Sequence, residues 1–314
     1  MRRAESAPGG ARESAANRPT VGLLGLGHLG SAMARRFAAE GFRLVVYNRT
    51  ADRARELAER LGVTAAGTPA ELAGSVDVVL TIVSDDDAVT ALYRSPGGLL
   101  EGLSERTVAA DMSTVLPETL RALEADIRAT GAGVLDAPVS GSVALVESGG
   151  LTIMVGGEAV DLERARPALE GLGSRIFHLG PLGSGATMKL AVNNVIFGLN
   201  GALAESLVLA ERAGMPREVA YDVFAASAVG APYVQYKRAA FVEPDATPPG
   251  FTIGLAEKDL RLISTLAERV GARLPQAATN LALLQDAAAG LGADADFSAV
   301  ARMLRDDPGR RDRD

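Results

Sequence analysis

The segment Val21-Gly22-Leu23-Leu24-Gly25-Leu26-Gly27-His28-Leu29-Gly30 constrains the fold more than any other part of the chain. A hydrophobic run ends in G-x-G-x-x-G, opens into an amphipathic stretch, and is followed by a second apolar run. That order of strand, glycine turn and helix is the phosphate-binding turn of a dinucleotide-binding fold. Gly25 permits the tight turn, Gly27 lets the main chain approach a pyrophosphate, and Gly30 lets helix and strand pack closely. The free amides at the helix N-terminus then face the anion. Leu26, His28 and Leu29 fall in the same loop and line the cofactor, with His28 read as a variable position rather than a catalyst.

The pattern continues as short apolar runs alternating with helical periods. Strands are expected at Thr20–Leu24, Arg43–Tyr47, Val76–Val83, Thr107–Asp111, Gly133–Asp136, Leu151–Val155 and Arg175–Leu179. Helices are expected at His28–Glu40, Ala51–Arg60, Asp85–Arg94, Pro117–Thr130 and Val160–Leu169. Alternation of this kind implies βαβ units on a mostly parallel sheet. After Gly180 the character changes. A nearly unbroken helix-forming stretch runs from about Ala186 to Arg212, is stopped by Gly214 and Pro216, and everything beyond is helical in pattern. The fold class is therefore α/β: an N-terminal doubly wound Rossmann domain over 19–183, then a long interdomain helix and an all-helical C-terminal domain over 184–304. Residues 1–18 read as a disordered leader and 305–314 as a disordered tail.

Composition narrows the function. A chain of 314 residues with 47% hydrophobic and 23% charged residues is not globally disordered. A net charge of −7 argues against nucleic acid or an anionic membrane as partner. No cysteine and only two histidines, His28 and His178, argue against a metal centre. No signal-peptide core is visible, so the expectation is a soluble, cytoplasmic protein. His178, at a strand end, is given a structural role. Asp85-Asp86-Asp87 sits at a helix start, where carboxylates serve as caps rather than ligands. The Tyr233–Arg238 stretch (YVQYKR) is taken as surface or pocket rim.

Cofactor choice is read at the end of the second strand. An NAD site places an acidic residue there to hold the ribose 2′-hydroxyl. This chain has Asn48-Arg49-Thr50 instead. A cation with amide and hydroxyl donors suits a 2′-phosphate, which predicts NADP(H) over NAD(H).

A second constellation lies in Gly183-Ser184-Gly185-Ala186-Thr187-Met188-Lys189-Leu190-Ala191-Val192-Asn193-Asn194. Lys189 and Asn193 are four residues apart and share one helix face. Of 32 basic residues only Lys189, Lys237 and Lys258 are lysines. In so arginine-rich a chain, a retained lysine marks a place where a guanidinium will not serve.

Together with Asp136-Ala137-Pro138-Val139-Ser140-Gly141, Asp111-Met112-Ser113-Thr114, Leu151–Gly157 and Phe251 through Lys258-Asp259, these blocks resemble the β-hydroxyacid dehydrogenase family. That family includes 3-hydroxyisobutyrate dehydrogenases, tartronate semialdehyde reductases and glyoxylate/succinic semialdehyde reductases. The resemblance runs from about Thr20 to Leu304. It implies hydride transfer between a nicotinamide and a small aldehyde or keto acid, with Lys189 as the catalytic acid/base. It further implies substrate contacts from Ser140, Gly141, Ser142, Asn193, Phe251 and Asp259. Cofactor contacts are implied for Thr114, Lys258 and the Val83, Ser84 and Asp85 loop. A homodimer or homotetramer formed through the helical domain is expected of the family.

The sequence departs from the family pattern at Ser142, where glycine is common, at Leu145-Val146, where Gly-Ala is common, and at Gly150. The two larger apolar side chains are expected to reshape the pocket beside the substrate-carboxylate loop. Two other readings remain: an imine reductase-like enzyme, whose family generally lacks a lysine at the Lys189 position, and a non-catalytic NADP-binding protein.

Overall fold

The computed structural model describes residues 18–306; of the expected leader 1–18 only Arg18 is described, and it is ordered, donating to the Glu40 carbonyl and lying over the Phe42 ring, while residues 1–17 and the tail beyond 306 lie outside the described residues. The first half runs β1 (Val21–Leu24), α1 (His28–Ala39), β2 (Leu44–Tyr47), α2 (Ala51–Leu61), β3 (Thr64–Ala65), α3 (Pro69–Gly74), β4 (Val78–Thr81), α4 (Asp86–Arg94) and β5 (Val108–Asp111). It continues through α5 (Pro117–Ala129), β6 (Gly133–Asp136), β7 (Val139–Ser140), α6 (Val143–Glu147), β8 (Thr152–Gly157), α7 (Ala159–Leu172) and β9 (Arg175–His178). The strand order is β3-β2-β1-β4-β5-β6-β8-β7, with β9 beside β8. Strands β3 through β6 pair in parallel, while β8 meets β6 and β7 antiparallel.

Strands β1, β4, β5 and β6 are buried along their whole length, as expected where helices cover both faces. Their side chains alternate between two cores. Leu23, Leu80, Ala110 and Leu135 pack with Met33, Phe37, Leu57 and Leu169. Leu24, Val79, Ala109 and Val134 pack with Leu72, Tyr93, Leu120 and Ile127 on the opposite face. The chain reverses direction across the sheet between β1 and β4, so the carboxyl ends of these strands open into a crevice at the switch point.

The second half is helical: α8 (Ser184–Arg212), α9 (Arg217–Ala226), α10 (Pro232–Val242), α11 (Ile253–Val270), α12 (Pro275–Leu291) and α13 (Val300–Asp306). Helix α8 is long and apolar enough to cross a bilayer. Its Leu190, Phe197, Leu203, Ala204 and Leu207 are instead buried in a core shared with Tyr221, Phe241, Leu260 and Leu284. Two expectations need correction at the edges. Helix α13 continues through Asp306, so residues 305 and 306 are ordered helix rather than tail. The strands β3 and β7 and the helices α3 and α6 are too short for the periodicity to show.

Candidate active site

The glycine turn is set by close approach. Gly25 has φ +96°, and a Cβ there would lie 2.0 Å from the Ile82 carbonyl oxygen. At Gly30 a Cβ would lie 1.9 Å from the Gly25 oxygen, so α1 can sit against β1 only without a side chain. Gly27 is different: a Cβ there would meet nothing within 4 Å, because the space before it is the crevice itself. The Asn48 side chain accepts from the Leu26 amide at 3.1 Å and ties the end of β2 to the loop. Helix α1 has no acidic residue in its first turn, so its amide end is open to an anion. An open main chain at Gly27 ahead of an unopposed helix N-terminus fits a dinucleotide.

The crevice is a cleft of about 1100 Å³ that runs from this loop to the helical half. Its wall includes Gly25 through Gly30, Asn48, Arg49, Val83, Ser84, Thr114, Ser140, Gly141, Ser142, Lys189, Asn193, Phe251, Lys258 and Asp259. These residues, separated by more than two hundred positions, are thus brought to one surface. Thr50 and Asp85, expected at the cofactor, do not line it. Thr50 stands at the N-cap of α2 and lends its carbonyl to the Asn48 amide. Asp85 caps α4, accepting from the Ala88 amide at 2.8 Å, and the Ser84 hydroxyl donates to it. Asp86 accepts from the Leu116 amide at 2.9 Å, so this acidic run fastens helix ends. His178 bonds the Gly157 carbonyl at 2.8 Å, in keeping with a structural role.

Two buried aspartates hold the loops that frame the cleft. Asp111 accepts from the Thr81 hydroxyl and from the Ser113 amide at 3.0 Å, and the Ser113 hydroxyl accepts from the Val83 amide at 2.9 Å. Burial pushes the Asp111 carboxyl up to about 6 against these hydrogen bonds. Asp136 accepts from the Gly183 and Ala186 amides at 2.7 and 2.6 Å and so caps α8 from the end of β6. A Cβ at Gly185 would lie 2.3 Å from the Met154 carbonyl, so this glycine lets the helix start directly against the sheet.

Lys189 follows within one turn of that anchor, half-buried in the cleft wall. Among the described residues nothing forms a hydrogen bond or ion pair with its ammonium. Burial pulls its pKa down to about 8, with the Asp259 charge opposing and the Lys258 charge assisting. Asn193 donates to Asp259 at 2.7 Å, which orients both side chains. Lys258 reaches Asp259 at 2.8 Å and donates to the Thr114 carbonyl at 2.7 Å, joining the helical half to the nucleotide-facing loop. A lysine titrating near 8, beside an amide and in front of an open cleft, can give a proton to a carbonyl oxygen or take one from a hydroxyl.

The departures in the substrate loop divide, with Ser142 on the cleft wall. Leu145 and Val146 do not line the cleft: Val146 is fully buried in the sheet core, and Leu145 packs on Gly141 and Gly150. Val143 and Ala144, two residues earlier at the start of α6, are on the wall. Sequence reasoning also missed Ile196 and Phe197, which extend the Lys189–Asn193 face and were available from helical spacing alone. Arg53, in the first turn of α2 after Arg49 and the N-cap Thr50, was missed as well. Lys237, taken as surface or rim, lines the cleft but is buried and paired with Asp296 at 2.7 Å.

Comparison with known proteins agrees with this fold. Residues 20–180 match the family described as the NAD binding domain of 6-phosphogluconate dehydrogenase, and 183–304 match the NAD-binding domain of NADP-dependent 3-hydroxyisobutyrate dehydrogenase. Glyoxylate/succinic semialdehyde reductase 1 of Arabidopsis thaliana is 35% identical over 91% of this chain and 98% of its own. The 3-sulfolactaldehyde reductase of Escherichia coli K12 is 32% identical over 91% and 95%. An NAD-dependent L-serine dehydrogenase of Pseudomonas aeruginosa is 31% identical over 90% and 97%. The 3-hydroxyisobutyrate dehydrogenase of Salmonella typhimurium superposes with a TM-score of 0.83 at 26% identity, covering 90% of this chain and 99% of that one. An imine reductase from Pseudomonas sp. is more distant, at a TM-score of 0.62 and 18% identity over 92% and 100%, and shares the fold alone.

Proposed function

This chain belongs to the 3-hydroxyisobutyrate dehydrogenase family of NAD(P)-binding oxidoreductases, and from that premise we propose that it is an NADPH-dependent reductase of a small aldehyde or keto acid. The same site run backwards is a hydroxyacid dehydrogenase. The observation that carries the reading is Lys189: an ammonium without an ion-pair partner among the described residues, titrating near 8, one helical turn from Asn193 on a cleft that begins at the glycine loop.

The nicotinamide, when bound, supplies or accepts the hydride. Lys189 donates a hydrogen bond to the carbonyl oxygen and delivers its proton as negative charge develops there. In the oxidising direction the neutral amine takes the hydroxyl proton. Arginine would not serve, because it keeps its proton. Asn193, fixed by Asp259, offers its amide to the same oxygen or its neighbour. Ser140 and Ser142 hydroxyls and the Gly141 main chain hold the substrate carboxylate, and Phe251 closes the cleft against water.

Preference for NADP(H) is supported by Arg49 and Arg53, which both line the cleft beyond β2, while its acidic wall residues, Asp259 and Asp296, lie at the other end. Nearby Asp52 is turned to Arg55. Self-association through the helical half is supported by exposed Val195 and Leu209 on α8 and Val219 and Val223 on α9.

The test is oxidation of NADPH, with NADH in parallel, against glyoxylate, succinic semialdehyde, methylmalonate semialdehyde, tartronate semialdehyde and a cyclic imine. Turnover of an aldehyde acid that disappears in Lys189→Ala is the expected result. Turnover of the imine alone would overturn the substrate class. Arg49→Ala should weaken NADPH by about tenfold or more while sparing NADH, and unchanged NADPH affinity would refute the cofactor assignment.

A further inference from the structure

Part of the cleft wall is the lip 247–251, Thr247-Pro248-Pro249-Gly250-Phe251, which leads into α11. Its two prolines have no amide hydrogen, so Gly250 carries the first donor after Thr247 that can fasten the lip to the protein. That donor goes to a side chain: Asp296 accepts from the Gly250 amide at 2.9 Å and from the Phe251 amide at 3.3 Å. The same carboxylate accepts from the Ser298 amide and hydroxyl at 3.0 and 2.8 Å and holds the Lys237 ammonium with both oxygens at 2.7 Å. Side-chain exposure is 8% for Lys237 and 10% for Asp296, and the ammonium sits 4.6 Å from the Phe297 ring centroid.

An ion pair this buried contributes little net stability compared with an apolar pair of the same volume. Its distinguishing property is that Lys237 bridges both oxygens of Asp296, one of which also serves the lip while the other also accepts from Ser298. Phe251 then packs edge-on against Phe297 at 5.5 Å and stacks with Phe197 of α8 at 6.4 Å. Phe197 is two helical turns past Lys189, so the distance from the Phe251 ring to the reacting end of the cleft is fixed through this chain of contacts. Because the Lys237 charge is consumed by Asp296, it is not a free receptor for a substrate anion.

We propose that Lys237 and Asp296 are a positioning pair that fixes the Gly250–Phe251 lip and so sets the length of carbonyl substrate the cleft accepts. The size limit rests on the reductase reading above; the clamp on the lip does not. The full-length protein is compared with Lys237→Met, Asp296→Asn and the double variant Lys237→Met/Asp296→Leu, which replaces the pair by apolar side chains and keeps the fold accessible if a single variant unfolds.

The first readout is amide hydrogen exchange across residues 247–253. Loss of a hydrogen bond to a charged acceptor predicts exchange at Gly250 and Phe251 faster by about tenfold to a hundredfold. The second readout is kcat/KM for glyoxylate against straight-chain semialdehyde acids of increasing length. The ratio should shift toward the longer substrates by about tenfold, carried by KM. The double variant should regain the thermal midpoint but neither slow exchange nor length selection. Unchanged exchange in Asp296→Asn overturns the proposal, as does a double variant that regains selectivity along with stability. Faster exchange with unchanged length selection overturns the size limit. If the unaltered protein reduces none of the carbonyls, the reductase reading falls, and exchange at Gly250 and Phe251 alone decides the clamp.

Discussion

The pKa of Lys189 makes the pH profile the sharpest test of the mechanism. An ordinary lysine titrates near 10.5, and burial brings this one to about 8. With a midpoint at 8, about nine-tenths of the lysines carry a proton at pH 7, half at pH 8 and about one-tenth at pH 9. Reduction uses the protonated form, so kcat/KM for the carbonyl should fall about tenfold between pH 7 and 9. An unperturbed lysine would still be almost fully charged at pH 9 and would give a flat line. Oxidation uses the neutral amine, so it should rise over the same interval and level off above about pH 9. Neighbouring charges move the midpoint in opposite directions. Removing the Asp259 carboxylate in Asp259→Asn shifts it downward, and removing the Lys258 cation in Lys258→Met shifts it upward. The assay is initial-rate kinetics in both directions from pH 6 to 10 at constant ionic strength. A reduction rate that stays level through pH 9, or an Asp259→Asn midpoint that moves upward, would refute the assignment of Lys189 as the acid.

Three other outcomes follow from the packing. Gly30→Ala places a methyl 1.9 Å from the Gly25 oxygen, so it should destabilise the fold by about 1–3 kcal/mol and weaken NADPH binding in a fluorescence titration. Val146→Ala should cost about 1–3 kcal/mol in urea unfolding yet leave KM unchanged, because Val146 faces the sheet core and not the cleft. Between about pH 4 and 6 Asp111 holds a proton in the folded protein that the unfolded chain has released. Its stabilising contribution is therefore complete below about pH 4 and lost as pH rises through about 6, a difference of about 3 kcal/mol. Asp111→Asn should remove that component from the pH dependence of unfolding, and identical pH dependences would count against the buried carboxyl.

What the sequence discloses and what it hides divide along a physical line. The glycine turn is legible because strand, turn and helix are contiguous and each glycine has its own steric reason. The pairing of Lys189 with Asn193 is legible because helical phase is a local property. Asp85 as a helix cap was readable for the same reason. The partners that fix these groups are remote: Asp259 lies 66 residues from Asn193 and Asp296 lies 59 from Lys237, and no local pattern joins them. Leu145 does sit beside the substrate loop, against Gly141, but that Val146 turns into the sheet core was not legible, because α6 is only five residues long and its faces depend on how it docks on α1. Lys237 was visible as one of three lysines in an arginine-rich chain, but its burial was not.

The anchoring of α8 by Asp136 bears on how such a protein can be taken apart and recombined. The border between the two matched families falls near Gly183, where sheet gives way to helix. Physically the border lies further on, because Asp136 holds the Gly183 and Ala186 amides and so makes the opening turn of α8 part of the sheet. Lys189 is therefore inherited with the nucleotide-facing half, although it lies in the other half on paper. An exchange of helical halves between relatives, joined at the family border, would separate the proton donor from the carboxylate that seats it. A junction beyond Asn193 keeps both together, and leaves the incoming half to contribute only the far wall.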